Sequence, residues 1–148
     1  MKIDLILLRQ ISVLSGFFGL VAGLVTLIPF IGLFSFIFLI CFMAPLVIWL
    51  LAKYDCISLN SVQDGIIIGA ISGFVSYLAF SLIYIPVSIL LIKIFSYSAN
   101  YGIGLLLGNA NFFILIVVSV FMGVLSATVN AFTGFLAYYV LELFNKFK

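Results

Sequence analysis

The sequence predicts an all-α integral membrane protein in which four transmembrane helices form two antiparallel hairpins. Composition is the first observation: 67% of the 148 residues are hydrophobic and 7% are charged, whereas soluble domains are about 45–50% apolar and about 25% charged. The second is that charged residues leave three long uncharged runs, 10–52, 65–92 and 94–141. Because about 20 apolar residues cross a bilayer, these runs suffice for two helices, one helix, and one helix plus a loop.

The first hairpin is predicted from a break near the middle of the first uncharged run. Segment 27–32 contains Pro29, which has no backbone N–H, and a glycine that tolerates a tight reversal. A turn at this segment predicts helices at about 8–28 and about 33–52. Pro45 lies inside the second helix, where we expect a kink.

The second hairpin begins after the most polar segment of the chain, 53–64, which must lie in water or among lipid headgroups. Ser61 and Asp64 at its end have the spacing of a capping box, in which each side chain bonds the backbone N–H of the other residue. The capping box predicts a third helix at about 64–95.

Segment 96–111 contains three glycines, three asparagines and two tyrosines, and is predicted to be a loop at the membrane interface. The fourth helix is predicted at about 112–143 and the chain ends a few residues later. We therefore expect residues 1–148 to form a single transmembrane domain with no soluble domain.

The distribution of basic residues predicts the orientation. Four crossings place both termini and the middle loop on one side of the membrane. That side holds five basic residues and the opposite side holds Lys93 alone. The five are Lys2, Arg9, Lys53, Lys146 and Lys148. Because cytoplasmic loops are enriched in Lys and Arg, we expect a multi-pass protein with both termini in the cytoplasm.

The first, third and fourth predicted helices each carry a face of small residues at three- and four-residue spacing. Lipid gives helices no hydrophobic drive to associate, so their contacts depend on close backbone approach at small residues. We predict helix packing at Gly16, Gly19, Gly23, Gly65, Gly69, Gly73, Gly123, Ala127 and Gly134. The second helix has large aromatic residues and no comparable face, so we expect it to be peripheral and the most lipid-exposed.

The same faces carry polar residues that allow three interpretations. These residues are Ser72, Ser76, Ser126, Asn130 and Thr133. They form hydrogen bonds between packed helices, line a polar path, or belong to an interface between molecules. Asn130 lies at mid-membrane depth, where an unpaired amide is costly, so it must bond the first or third helix or line a wet cavity.

Most enzyme classes are excluded by residues that the chain lacks. It has no histidine, which excludes His-ligated metals and a His general base. Its two cysteines, Cys41 and Cys56, are too few to complete a zinc or iron–sulfur site. A net charge of +2 is too small for nucleic-acid binding. We predict no catalytic, cofactor-binding or metal-binding residues.

Several motifs give the chain a resemblance to known proteins. They are GLVAG at 19–23, LIPF at 27–30, a second helix containing Cys41, SVQDG at 61–65 and Gly-x3-Gly at 69–73. Together they resemble an uncharacterised group of small glycine-rich four-helix prokaryotic membrane proteins, from which the chain departs at Gln63, where the group has glycine. The resemblance implies a bacterial or archaeal plasma membrane, such as an inner membrane, and no assigned activity.

These observations predict a non-enzymatic membrane protein that works by helix–helix association. Its partners would be the lipid bilayer and either copies of itself or the other proteins of a larger membrane complex. The alternative is a small transporter or pore for a small solute or a lipid, with a polar lining from the third and fourth helices.

Overall fold

The computed structural model describes residues 5–54, 56–57, 59, 61–98, 101–109 and 111–146. Within these ranges the protein contains helices and no strands. The helices are α1 (Leu5–Val25), α2 (Ile31–Lys53), α3 (Val62–Phe95), α4 (Tyr101–Asn109) and α5 (Phe112–Lys146). All except α4 are long and apolar enough to cross a membrane. The predicted all-α fold with four membrane-spanning helices is confirmed.

The turn between α1 and α2 lies where proline and glycine predicted it. Phe30, rather than a glycine, adopts a positive φ of 65° before α2 begins. Gly32 is required for a different reason: a Cβ atom at this position would overlap the carbonyl oxygen of Thr26. The reversal therefore depends on a close approach at Gly32 rather than on a left-handed glycine.

The predicted capping box at the start of α3 is confirmed. The Ser61 hydroxyl accepts a hydrogen bond from the Asp64 backbone N–H at 3.4 Å, and the Asp64 carboxylate accepts one from the Ser61 N–H at 3.2 Å. These bonds satisfy two donors that a helix N-terminus otherwise leaves unpaired. Ser96 ends α3 in the left-handed conformation, with a φ of 50°.

The interpretation of 96–111 as a loop is wrong for 101–109, which form α4. Leu107 is buried at 7% exposure, and α4 packs against α3. Glycines lower helix propensity, which is why the sequence favours a loop, but packing of an apolar side chain on a neighbour overrides that preference. Segment 96–111 is therefore partly a short helix held against the end of α3.

Helix α3 occupies the centre of the fold. It packs against α1, α2, α4 and α5, while α2 packs against α1, α3 and α5. The connections after α1 and α3 lie at the same end, since the Tyr97 hydroxyl donates a hydrogen bond to the Leu27 carbonyl at 3.2 Å. This arrangement corresponds to two antiparallel hairpins packed side by side.

The prediction that the second helix is peripheral is wrong. Leu39, Met43 and Val47 on α2 are at most 1% exposed and lie in the core. Of the aromatic residues that suggested a lipid-facing helix, Phe36 is half-buried and packs against the Tyr77 and Phe80 rings. The other four do lie outside: Phe34, Phe38, Phe42 and Trp49 are exposed. They form only one side of α2, and the other side packs larger aliphatic side chains against its neighbours. A helix can therefore be central without a face of small residues.

Candidate functional site

Glycines bring the backbones of α3 and α5 into direct contact. A Cβ atom at Gly65 would lie 2.6 Å from the carbonyl oxygen of Gly134, and one at Gly134 would overlap the carbonyl of Gly65. One turn further along α3, a Cβ at Gly69 would overlap the carbonyl oxygen of Asn130. No larger residue fits at these three positions without separating the helices.

The α1–α3 contact is also built on glycine. A Cβ at Gly19 would lie 2.9 Å from the Cα of Ser76, and one at Gly23 would lie 3.0 Å from the Phe80 carbonyl oxygen. On α5, Gly123 faces the Phe74 ring, with 3.3 Å between its ideal Cβ and the ring. The backbones of α1 and α3 therefore touch, whereas Gly123 receives a side chain.

Two of the predicted packing residues differ from the rest. Ala127 is only half-buried. A Cβ at Gly16 would have no described atom within 4 Å apart from its chain neighbours and the adjoining backbone of α1. The prediction that Gly16 packs against another helix of this chain is therefore wrong, because Gly16 lies to one side of the line along which α1 meets α3.

Asn130 on α5 lies at the centre of the bundle with an exposure of 0%. Its Oδ1 accepts a hydrogen bond from the Ala44 backbone N–H at 2.8 Å, and its Nδ2 donates to the Ile40 carbonyl at 2.7 Å. In a regular α-helix the N–H of residue 44 pairs with the carbonyl of residue 40. The Asn130 amide thus bonds both members of one backbone pair in α2.

These contacts decide between the two expectations for Asn130. It bonds a neighbouring helix, but that helix is α2, and the expectation of α1 or α3 is wrong. Room for the amide comes from α3, since a Cβ at Gly73 would lie 2.6 Å from the Cβ of Asn130. Pro45 follows Ala44 and has no N–H, so it leaves the carbonyl of Cys41, and not that of Ile40, without its helical partner.

The remaining polar residues bond backbone carbonyls. Ser126 is the one that connects helices, since its hydroxyl donates to the Gly73 carbonyl at 3.0 Å. Ser72 and Ser76 donate to carbonyls of their own helix, those of Gly69 and Gly73. All three serines have an exposure of 0%. Their hydroxyls are used for packing and face no opening.

Thr133 is half-buried, and its hydroxyl donates to the Asn130 carbonyl at 3.3 Å. The polar cluster, by which we mean Ser72, Ser76, Ser126, Asn130 and Thr133, is therefore neutral throughout. Among the described residues, no group of three or more His, Cys, Asp or Glu could hold a metal ion. The chemistry available to the cluster is hydrogen bonding.

Sequence reasoning missed two polar features of the core. The first is the α2 backbone at Ile40 and Ala44, which the sequence does not mark, because Pro45 frees the carbonyl of Cys41 and not the Ile40–Ala44 pair. The second is Ser15 on α1. Its hydroxyl is fully buried and has no hydrogen-bond partner among the described residues, and nothing in the sequence separates it from the bonded serines.

Four apolar spans and a closed polar cluster define this chain as a multi-pass α-helical membrane protein. The chain matches no family model, no curated protein and no solved structure.

Proposed function

We propose that this chain is a non-enzymatic integral membrane protein that acts by association with other transmembrane helices. Those helices belong either to further copies of the chain or to a larger membrane complex of which it is a small subunit. The observation that carries the proposal is the position of Gly16.

Among the glycines of the four spans, Gly16 alone has no described atom within 4 Å of an ideal Cβ once its chain neighbours and the adjoining helix backbone are set aside. Glycine inside a helix costs about 0.5–1 kcal/mol relative to alanine. At Gly19 the close approach of α3 offsets this cost, whereas at Gly16 nothing described in the chain does. An unoccupied glycine in a membrane helix lets the backbone of a second helix approach closely.

The buried polar cluster favours association over transport by a single copy. A path through the bundle needs polar groups that face an opening, and Ser72, Ser126 and Asn130 have an exposure of 0%. Their hydrogen bonds go to backbone groups of α2, α3 and α5. The transporter alternative therefore lacks a supporting contact in this fold.

The proposal includes an orientation and a membrane. Both termini and the connection between α2 and α3 would face the cytoplasm, which the excess of basic residues on that side supports. The motifs described above favour a prokaryotic inner membrane. Association would then take place within the plane of that membrane.

Site-specific photo-cross-linking in native membranes tests the proposal. A Gly16→Cys variant, made in a background with Cys41→Ala and Cys56→Ala, would carry a benzophenone at the unoccupied position. Leu82→Cys is the matched control, because Leu82 is 73% exposed on α3. We expect the Gly16→Cys variant to give one protein adduct of defined mass, equal to two chains for a homo-oligomer.

Identification of the adduct by mass spectrometry separates the two forms of the proposal. An adduct of one chain with one other membrane protein in fixed ratio indicates a complex subunit. If the Gly16→Cys and Leu82→Cys variants label only lipid, or label the same mixture of proteins, Gly16 does not mark an association surface and the proposal is wrong.

A further inference from the structure

A second surface lies between α1 and α2, where they border a groove with a volume of about 760 Å³. This size falls within the roughly 300–1,000 Å³ of typical small-molecule sites. Most of its walls are apolar, with Val13 and Phe17 on α1 facing Leu50 and Leu51 on α2. Gly16 is not among the lining residues, but it lies one turn beyond Val13 on α1, so the groove borders the surface proposed for association.

The groove changes from polar to apolar along the direction of the helices. Arg9 and Gln10 line it near the start of α1, and Tyr54, which caps the end of α2, lines it at the same end. Phe17 lies eight residues beyond Arg9, or about 12 Å deeper along the helix axis. A ligand that fits this groove needs a polar head at the membrane interface and an apolar body in the bilayer.

The charge in the groove determines which headgroup the ligand can have. Arg9 is the one charged residue among the described residues that line it. Lys53, the cation at the end of α2, lies over the Trp49 ring at 5.1 Å from the ring centre and does not line the groove. A guanidinium binds phosphate oxygens in a bidentate manner, and basic pockets between transmembrane helices bind anionic lipid headgroups.

We propose that this groove binds an anionic phospholipid. The phosphate contacts the Arg9 guanidinium with Gln10 and Tyr54 beside it, and an acyl chain lies between Val13, Phe17 and Leu50. A second protein helix fits the groove less well, because an apolar helix would cover Arg9 without offering it a partner, and an unpaired buried charge is costly.

Native mass spectrometry of the full chain, delipidated in detergent, tests this proposal. Phosphatidylglycerol and phosphatidylcholine with identical acyl chains serve as probes. We expect phosphatidylglycerol to bind more tightly, and Arg9→Gln to weaken its binding about tenfold, as loss of a charged hydrogen bond implies. Lys53→Gln is the matched control, since it removes one positive charge from the same end of the molecule while leaving the groove intact.

The apolar half of the groove is tested with Val13→Trp, which would narrow it and weaken the binding of both lipids. Circular dichroism establishes that each variant is folded before its lipid binding is compared. Equal weakening by Arg9→Gln and Lys53→Gln would indicate general attraction to a cationic surface and overturn the proposal. So would equal binding of the two lipids, or a Val13→Trp variant that binds them as the unmodified chain does.

Discussion

The helix pairs α3–α5 and α1–α2 differ in how closely they pack along their lengths. In α3–α5, small residues bring the backbones together over about two turns, from the contact of Gly65 with Gly134 to that of Gly73 with Ser126. In α1–α2 the close contacts lie near the turn, where the Ser35 hydroxyl donates to the Ala22 carbonyl at 3.3 Å. At the other end of this pair, large side chains border the groove.

The difference shows what sets the distance between helices in this protein. Since lipid tails are as apolar as leucine, burying large apolar side chains does not by itself draw helices together in a bilayer. Where glycine or serine lies at the contact, the backbones touch. Where Phe17 and Leu50 lie at the contact, space remains between the helices.

The strongest test of the close pair is Gly73→Leu. A side chain at this position would meet the Cβ of Asn130 at 2.6 Å, and should force α3 and α5 apart at a cost of about 3 kcal/mol through overpacking. Thermal unfolding in detergent measures the loss. Phe38→Leu on the exposed side of α2 is the control, and an equal loss from both variants would mean that the lipid-facing and packed surfaces have been assigned wrongly.

The central position of α2 is tested by two adjacent residues. Met43 is 1% exposed and Phe42 is 54% exposed. Met43→Ala should lower the free energy of unfolding by about 2 kcal/mol, because it leaves a cavity in the core. Phe42→Ala removes the larger side chain from the lipid face and should cost less. A larger loss of stability from Phe42→Ala than from Met43→Ala would mean that α2 is peripheral.

Asn130→Ala should have a smaller effect, about 1 kcal/mol, although it removes every side-chain bond between α5 and the α2 backbone described above. The reason is that the Ala44 N–H and the Ile40 carbonyl can pair with each other once the amide is gone. Thr128→Ala is the matched control, since the Thr128 hydroxyl is exposed and bonds only its own helix. Unchanged stability in the Asn130→Ala variant would show that the amide contributes nothing to packing.

Ser15→Ala should act in the opposite direction. The Ser15 hydroxyl is buried without a partner among the described residues, so its removal should raise stability by up to about 1 kcal/mol. Ser126→Ala, which removes a hydroxyl bonded to the Gly73 carbonyl, should lower it. If the Ser15→Ala variant is also less stable, the hydroxyl has a partner that this fold does not contain, such as a bound water.

Labelling of Cys56 should leave stability unchanged and decide the orientation. Cys56 is exposed and lines the open end of the α1–α2 groove. If that end faces the cytoplasm, an impermeant thiol reagent added to intact cells will not react with Cys56 but will do so after permeabilisation. Reaction in intact cells would invert the proposed topology.

Features that depend on residues close together in the sequence could be predicted from the sequence. The helix boundaries predicted from hydropathy agree to within three residues with the observed ends of α1, α2, α3 and α5. The capping box of Ser61 and Asp64 depends on residues three positions apart. Both are local, so no knowledge of the helix arrangement is needed to find them.

Features that depend on which helices meet could not be predicted in the same way. Gly16 and Gly19 belong to one small face, yet they lie about 60° apart around α1, and only Gly19 meets α3. The choice of α2 as the partner of Asn130 likewise depends on how four helices fit together. Periodicity identifies a face but does not identify its neighbour.

The bond between Asn130 and Ala44 also bears on the order in which the protein assembles during synthesis. The two residues are 86 positions apart, so α1 and α2 leave the ribosome and enter the bilayer well before Asn130 has been made. Until α5 arrives, the Ala44 N–H has the Ile40 carbonyl as its local partner. Insertion of α5 then brings the Asn130 amide to both of these backbone groups, which makes the joining of the two hairpins a late step of membrane integration.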